Sequence, residues 1–135
     1  PLLPVAPRME CAVQEQVEER PIRWEAIPFV LSERGLARQR IDRWFRAEGI
    51  EPEVYAQVSG NEAILAMVAL GCGVGIVPGL VMERSPLRKQ VQVIDQGPRL
   101  GPYRVGVTSR KKRLGSAPVR AFWSVVERHA VSSEE

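Results

Sequence analysis

The 135-residue sequence predicts an α/β fold, a mostly parallel sheet flanked by helices. Three observations carry the prediction. Strand-like and helix-like segments alternate between Ile27 and Pro78. "IPFVLS" (Ile27–Ser32) and "VGIVP" (Val74–Pro78) are short, unbroken apolar runs, the pattern of strands covered on both faces. The segments between strands are long enough for crossover helices, which join parallel strands where a tight hairpin cannot.

The elements follow in order. "LLPVAP" reads as a short strand broken by proline, and "CAVQEQVEERPIRW" as a polar connection. After the strand Ile27–Ser32, "ERGLARQRIDRWFRAEG" places Ala37, Ile41, Trp44 and Phe45 at i, i+4, i+7, i+8. That is an amphipathic helix, ended by Gly49. "EVYAQVS" alternates, with Val54, Ala56 and Val58 on one face and Tyr55 and Gln57 on the other, and reads as a strand. In "SGNEAILAMVALG", Ser59 and Glu62 have the spacing of a capping box, so a helix begins near Gly60. It is apolar on all sides and belongs in a deeply packed position. Val74–Pro78 is a buried strand, "GLVMER" one or two helical turns, and "VQVID" (Val91–Asp95) a strand. "QGPRLGP" marks a lobe boundary. "YRVGVTS" reads as a further strand. "SAPVRAFWSVVERHA" reads as a final helix with Ser116 as N-cap and an apolar stripe of Val119, Phe122, Trp123 and Val126. The tail "VSSEE" is expected to fray.

Composition narrows the function classes. Hydrophobic residues at 44% and charged residues at 26% are ordinary globular values. No apolar run reaches membrane-spanning length and no leader opens the chain, so a soluble, cytoplasmic protein without membrane partners is expected. With two cysteines (Cys11 and Cys72, read as reduced thiols) and one histidine, no metal site is expected. Catalysis is not expected either. His129 lies near the end of the last helix, and Cys72 follows a helix C-terminus, the wrong end to activate a thiol. Glu33 and Glu62 show no partner. The net charge of +3 is too small to imply nucleic-acid binding. Arg38, Arg40, Arg43 and Arg46 read as the solvated face of their helix, with phosphate gripping or a partner-subunit contact as alternatives. "RKKR" (Arg110–Arg113) reads as an exposed loop.

The glycines of "ALGCGVGIVPG" invite comparison with a phosphate loop, but they follow a helix and precede a strand. A phosphate loop has the reverse order, which aims a helix N-terminus at the anion. Gly71 instead reads as a helix terminator with positive φ, and Gly73 and Gly75 as close-packing positions. No cofactor is expected. Ligands of open parallel sheets bind beyond the carboxyl ends of the strands. Two strand-to-helix junctions qualify, "LSERGL" and "VSGNEA", each with a hydroxyl and free backbone N–H groups. Ser32, Arg34, Gly35, Ser59 and Asn61 are therefore the candidate ligand-binding residues, suited to a small carboxylate.

"EAILAMVALGCGVGIVPGLV" resembles the late helix–turn–strand of LysR-type transcriptional regulators. The family pattern V-x-x-G-x-G-[IV]-x-[LIV]-[LIV]-P is met by Val68 to Pro78. "YRVGVTSRKKRLGSAPVRAFWSVV" is similar to the last strand and helix of their effector domains. "IPFVLSERGLARQRIDRWFRAEGI" and "VYAQVSGNEAILAMVALGCGV" more specifically resemble the branch that regulates a branched-chain amino-acid biosynthesis gene. The resemblance implies a lobe like those of type II periplasmic binding proteins. Residues 1–98 would be regulatory subdomain II, and residues 99–135 the strand and helix that return to subdomain I. It implies an acetohydroxy acid effector such as acetolactate, a homo-oligomer, and DNA contact only through a winged helix-turn-helix absent from these residues. The stripe Val119, Phe122, Trp123 and Val126 of the final helix would then pack on another copy or on the first lobe. A lobe of a two-lobed solute-binding protein for a small carboxylate is the alternative.

Overall fold

The computed structural model describes residues 1–102 and 104–130. The chain forms two compact units, Pro1–Pro102 and Tyr103–Glu135. The first holds a five-stranded sheet of β1 (Leu2–Pro7), β2 (Pro28–Ser32), β3 (Glu53–Val58), β4 (Val74–Pro78) and β5 (Val91–Val93), in the order β3-β2-β4-β1-β5. β2 pairs in parallel with β3 and β4, while β1 runs antiparallel to both β4 and β5. Among these strands β1 alone is reversed, so the sheet is mostly parallel, as expected.

The helices of this unit are α1 (Ala12–Glu18), α2 (Leu36–Glu48), α3 (Asn61–Ala69) and α4 (Gly79–Arg84). α2 and α3 cover opposite faces. Neighbouring residues of a strand point to opposite sides. Val30 joins Ile64, Leu65 and Val68 of α3 in one cluster with Val5, Val77 and Val91. Phe29 instead meets Phe45 of α2 edge-on, with centroids 5.0 Å apart, and Trp24 lies against both Phe29 and Trp44.

The glycine corner after α3 is a helix terminator. Gly71 has φ +81°, its N–H donates to the Val68 carbonyl, and the Cys72 N–H reaches back to Met67. Those two bonds satisfy the Val68 and Met67 carbonyls, and the positive φ of Gly71 turns the Cys72 N–H back toward the helix. A Cβ on Gly75 would lie 2.5 Å from Ile64 Cγ2, so α3 packs directly onto the backbone of β4.

Four expectations need correction. Residues 12–18 form α1 instead of a polar connection, with Val13 and Val17 buried one helical turn apart. β5 ends at Val93, two residues short. The Ser59–Glu62 capping box does not form. Gly60 occupies the N-cap position, so Ser59 falls one residue outside it, and Glu62 Oε2 accepts a hydrogen bond from Ser85 Oγ at 2.9 Å. In the second unit, residues 104–109 do not form the expected strand. Alternation alone does not complete a strand, which needs a ladder partner for its N–H and C=O groups. No described residue of the chain supplies one.

A short 3₁₀ turn, Lys111–Arg113, precedes α5 (Ala117–Ala130). The Ser116 carbonyl accepts the Arg120 N–H, which starts the helix where expected. Along α5, Val119, Trp123 and Val126 are half-buried and Phe122 is 59% exposed. Tyr103 and the tail 131–135, expected to be part of a strand and to fray, lie outside the described residues.

Candidate functional site

Two adjacent strand-to-helix junctions share one construction. At the end of β2, Ser32, Glu33 and Arg34 lead to Gly35, the N-cap of α2, with φ +110°. At the end of β3, Ser59 leads to Gly60, the N-cap of α3, with φ +94°. Neither helix has a side-chain cap, so first-turn N–H groups of both remain open to another acceptor. No atom would obstruct a Cβ at Gly35 or Gly60, so the backbone angle, not space, selects glycine there.

The sheet places these junctions side by side. Ser32 is registered opposite Val58, and the Glu33 N–H donates to the Val58 carbonyl at 3.1 Å. Neighbouring strands lie ~4.8 Å apart, which puts Ser32 and Ser59 at one edge. Ser32 and Asn61 are half-buried, while Arg34, Gly35 and Ser59 are exposed. All five candidate residues therefore fall at the carboxyl ends of β2 and β3, around two helix N-termini that both favour an anion.

Arg38 underpins this edge, and its role is not visible in the sequence pattern. Its guanidinium donates to Asp42 Oδ1 at 2.8 Å, to the Ser32 carbonyl at 2.7 Å and to Gln57 Oε1 at 2.6 Å. It thus ties α2 to the ends of β2 and β3 in one contact set. The sequence signal was partial: Arg38 and Asp42 stand four apart on a helix face, but the Gln57 contact depends on strand pairing. Among the described residues no group of three metal-ligating side chains comes together. Nor is any helix long and apolar enough to cross a membrane.

Residues 4–131 match the LysR substrate binding domain. The chain belongs to the LysR substrate-binding domain family. Along 93% of its length, this LysR-type domain is 39% identical to the HTH-type transcriptional regulator IlvY of Escherichia coli, and spans 43% of that protein. Among solved structures, the Synechocystis CcmR regulatory domain in complex with 2-PG superposes with a TM-score of 0.65 at 17% identity, covering 99% of this chain and 64% of that one. The effector binding domain of QuiR in complex with shikimate gives 0.60 at 16% identity, covering 98% of this chain and 62% of that one. These likenesses confirm the periplasmic-binding-protein-like fold. The family is regulatory, not enzymatic, which agrees with the absence of a catalytic assignment in the sequence.

Proposed function

We propose that the chain is the effector-sensing part of an IlvY-like transcriptional regulator. In this reading it recognises a small acetohydroxy acid, such as acetolactate, at the Ser32 and Ser59 junctions. The observation that carries it is the pair of uncapped, glycine-led helix N-termini side by side at the carboxyl ends of β2 and β3. A carboxylate there accepts backbone N–H groups from both helices, each favouring it by about 0.3–1 kcal/mol at exposed positions. The hydroxyls of Ser32 and Ser59, the Asn61 amide and the Arg34 guanidinium complete the polar set.

Residues 1–98 then act as subdomain II, and residues 99–135 return toward subdomain I, whose remainder closes the cleft. The regulator works in the cytoplasm as a homo-oligomer and reads DNA through a winged helix-turn-helix outside these 135 residues. The likeness to IlvY supports control of a branched-chain amino-acid biosynthesis gene. Calorimetry with acetolactate on the full-length protein tests the site. Ser32→Ala together with Ser59→Ala is expected to weaken binding at least tenfold, and unchanged affinity in that double variant rejects the assignment.

A further inference from the structure

The arginines of α2 do not form one uniform solvated face. Arg38 is committed to the edge described above. Arg40, Arg43, Trp44 and Ala47 follow i, i+3, i+4, i+7 spacing and lie in one stripe along the helix. Across from that stripe run Arg99 and Leu100, and together they line an open concavity of about 340 Å³. The groove lies wholly within the first compact unit. Arg40 fastens its two walls by donating to the carbonyl of Gly101.

Three features give this groove a chemistry. It is lined by three guanidinium groups and no carboxylate. Arg43 and Arg99 enter no ion pair among the described residues, where the carboxylate-bound arginines are Arg23 and Arg38. Its apolar wall includes Trp44, half-buried and held by ring contacts with Trp24 at 5.6 Å and Phe45 at 4.9 Å. Arginine forks match carboxylate and phosphate oxygens in pairs, and they stack on aromatic faces. A fixed indole beside Arg43 and Arg99 suits a ligand with a flat apolar body and an anionic head.

We infer that the groove between α2 and residues 99–101 is a second ligand site, separate from the Ser32–Ser59 edge, for a small anion carrying an apolar, preferably aromatic, body. Arg43 and Arg99 clamp the anionic head, and Trp44, Ala47 and Leu100 cover the body. The carboxylate and phosphate forms share this chemistry, and the probes distinguish them.

The test is calorimetric titration of the full-length protein with phenyl phosphate, benzoate and inorganic phosphate. At least one aromatic anion is expected to bind saturably, one per chain, and at least tenfold more tightly than inorganic phosphate. The tighter of the two aromatic probes identifies the head group. Arg43→Ala with Arg99→Ala is expected to weaken that binding tenfold or more. Arg43→Lys with Arg99→Lys, which keeps the charge and loses the fork, is expected to fall between. Ser32→Ala with Ser59→Ala is expected to leave it unchanged. Absence of saturable binding by both aromatic probes overturns the inference, as does equal affinity across the arginine variants. Loss of binding in the serine variant overturns it too, because the probe then occupies the other edge.

Discussion

A Cβ at Gly73 would stand 2.5 Å from the Pro28 carbonyl oxygen, and one at Gly75 the same distance from the Ile64 methyl Cγ2. The two clashes differ in kind. Ile64 can shift at the cost of repacking, for which overfilled cores lose about 1–3 kcal/mol. The Pro28 carbonyl is backbone at the start of β2, beside the Phe29↔Val74 register position, and has little room to yield. Gly73→Ala is therefore expected to lower unfolding stability more than Gly75→Ala, both read from urea denaturation. Gly60→Ala meets no atom, and its cost comes from the sparsely populated backbone conformation alone (φ 94°, ψ 143°), about 1–3 kcal/mol. Ser85 is 3% exposed and supports both the Glu62 carboxylate and the Leu87 N–H. Ser85→Ala removes both bonds and is expected to cost about 1–3 kcal/mol in the same assay.

Among the elements, α2 connects packing to the candidate site. Ile41 and Phe45 bury its inner face, and Arg38 fixes its first turn against two strand ends. Arg38→Ala is expected to destabilise the domain by about 1–3 kcal/mol, since hydrogen bonds to a charged group exceed neutral ones. It is also expected to weaken effector binding, because the Ser32 carbonyl loses its anchor. Lysine restores only part of this, as an ammonium cannot span three acceptors in a planar fork. Thermal melts of both variants, paired with calorimetry, separate the two effects. Equal effector affinity in wild type and Arg38→Ala would show that the edge is held without it. The elements also mark where sequence reading stops. α3 and the glycine corner are legible because their signals are local: continuous apolar character, then a residue free to take positive φ. α1 is not, because Val13 and Val17 offer one apolar pair in seven residues, too little for a helix that forms by docking on the sheet. The junction residues Ser32, Gly35, Ser59 and Asn61 can be picked out from strand–helix order. Arg38 cannot, because one of its acceptors belongs to a different strand.

At the scale of the whole molecule, the buried aliphatic and aromatic side chains among the described residues run from Leu2 to Ile94, within the first unit. A chain ending at Pro102 is therefore expected to keep a cooperative thermal transition by circular dichroism. A broad, non-cooperative melt would mean that the core depends on the second unit. Residues 104–108 are exposed and carry no regular structure, and Val105 is 87% exposed. Brief trypsin treatment is expected to cut first at Arg104 and between Arg110 and Arg113, releasing a resistant fragment that mass spectrometry identifies. The alternating pattern at this segment is legible in the sequence, but the neighbour that would make it a strand is not encoded within it. The direction of β1 is equally illegible, since it is set by partners some 70 to 90 positions further along.

That reversed strand has a consequence for synthesis. Leu2–Pro7 is translated before every other part of the sheet, yet its neighbours are β4 and β5. Until Pro78 leaves the ribosome, both hydrogen-bonding edges of β1 lack their native partners, and the edge that pairs with β5 waits until Val93, including at the fully buried Val5. Pairing over such sequence distances is slow, and unpaired apolar strands associate with one another when exposed. The nascent chain thus carries a sticky segment whose shielding is complete only once β5 has been made.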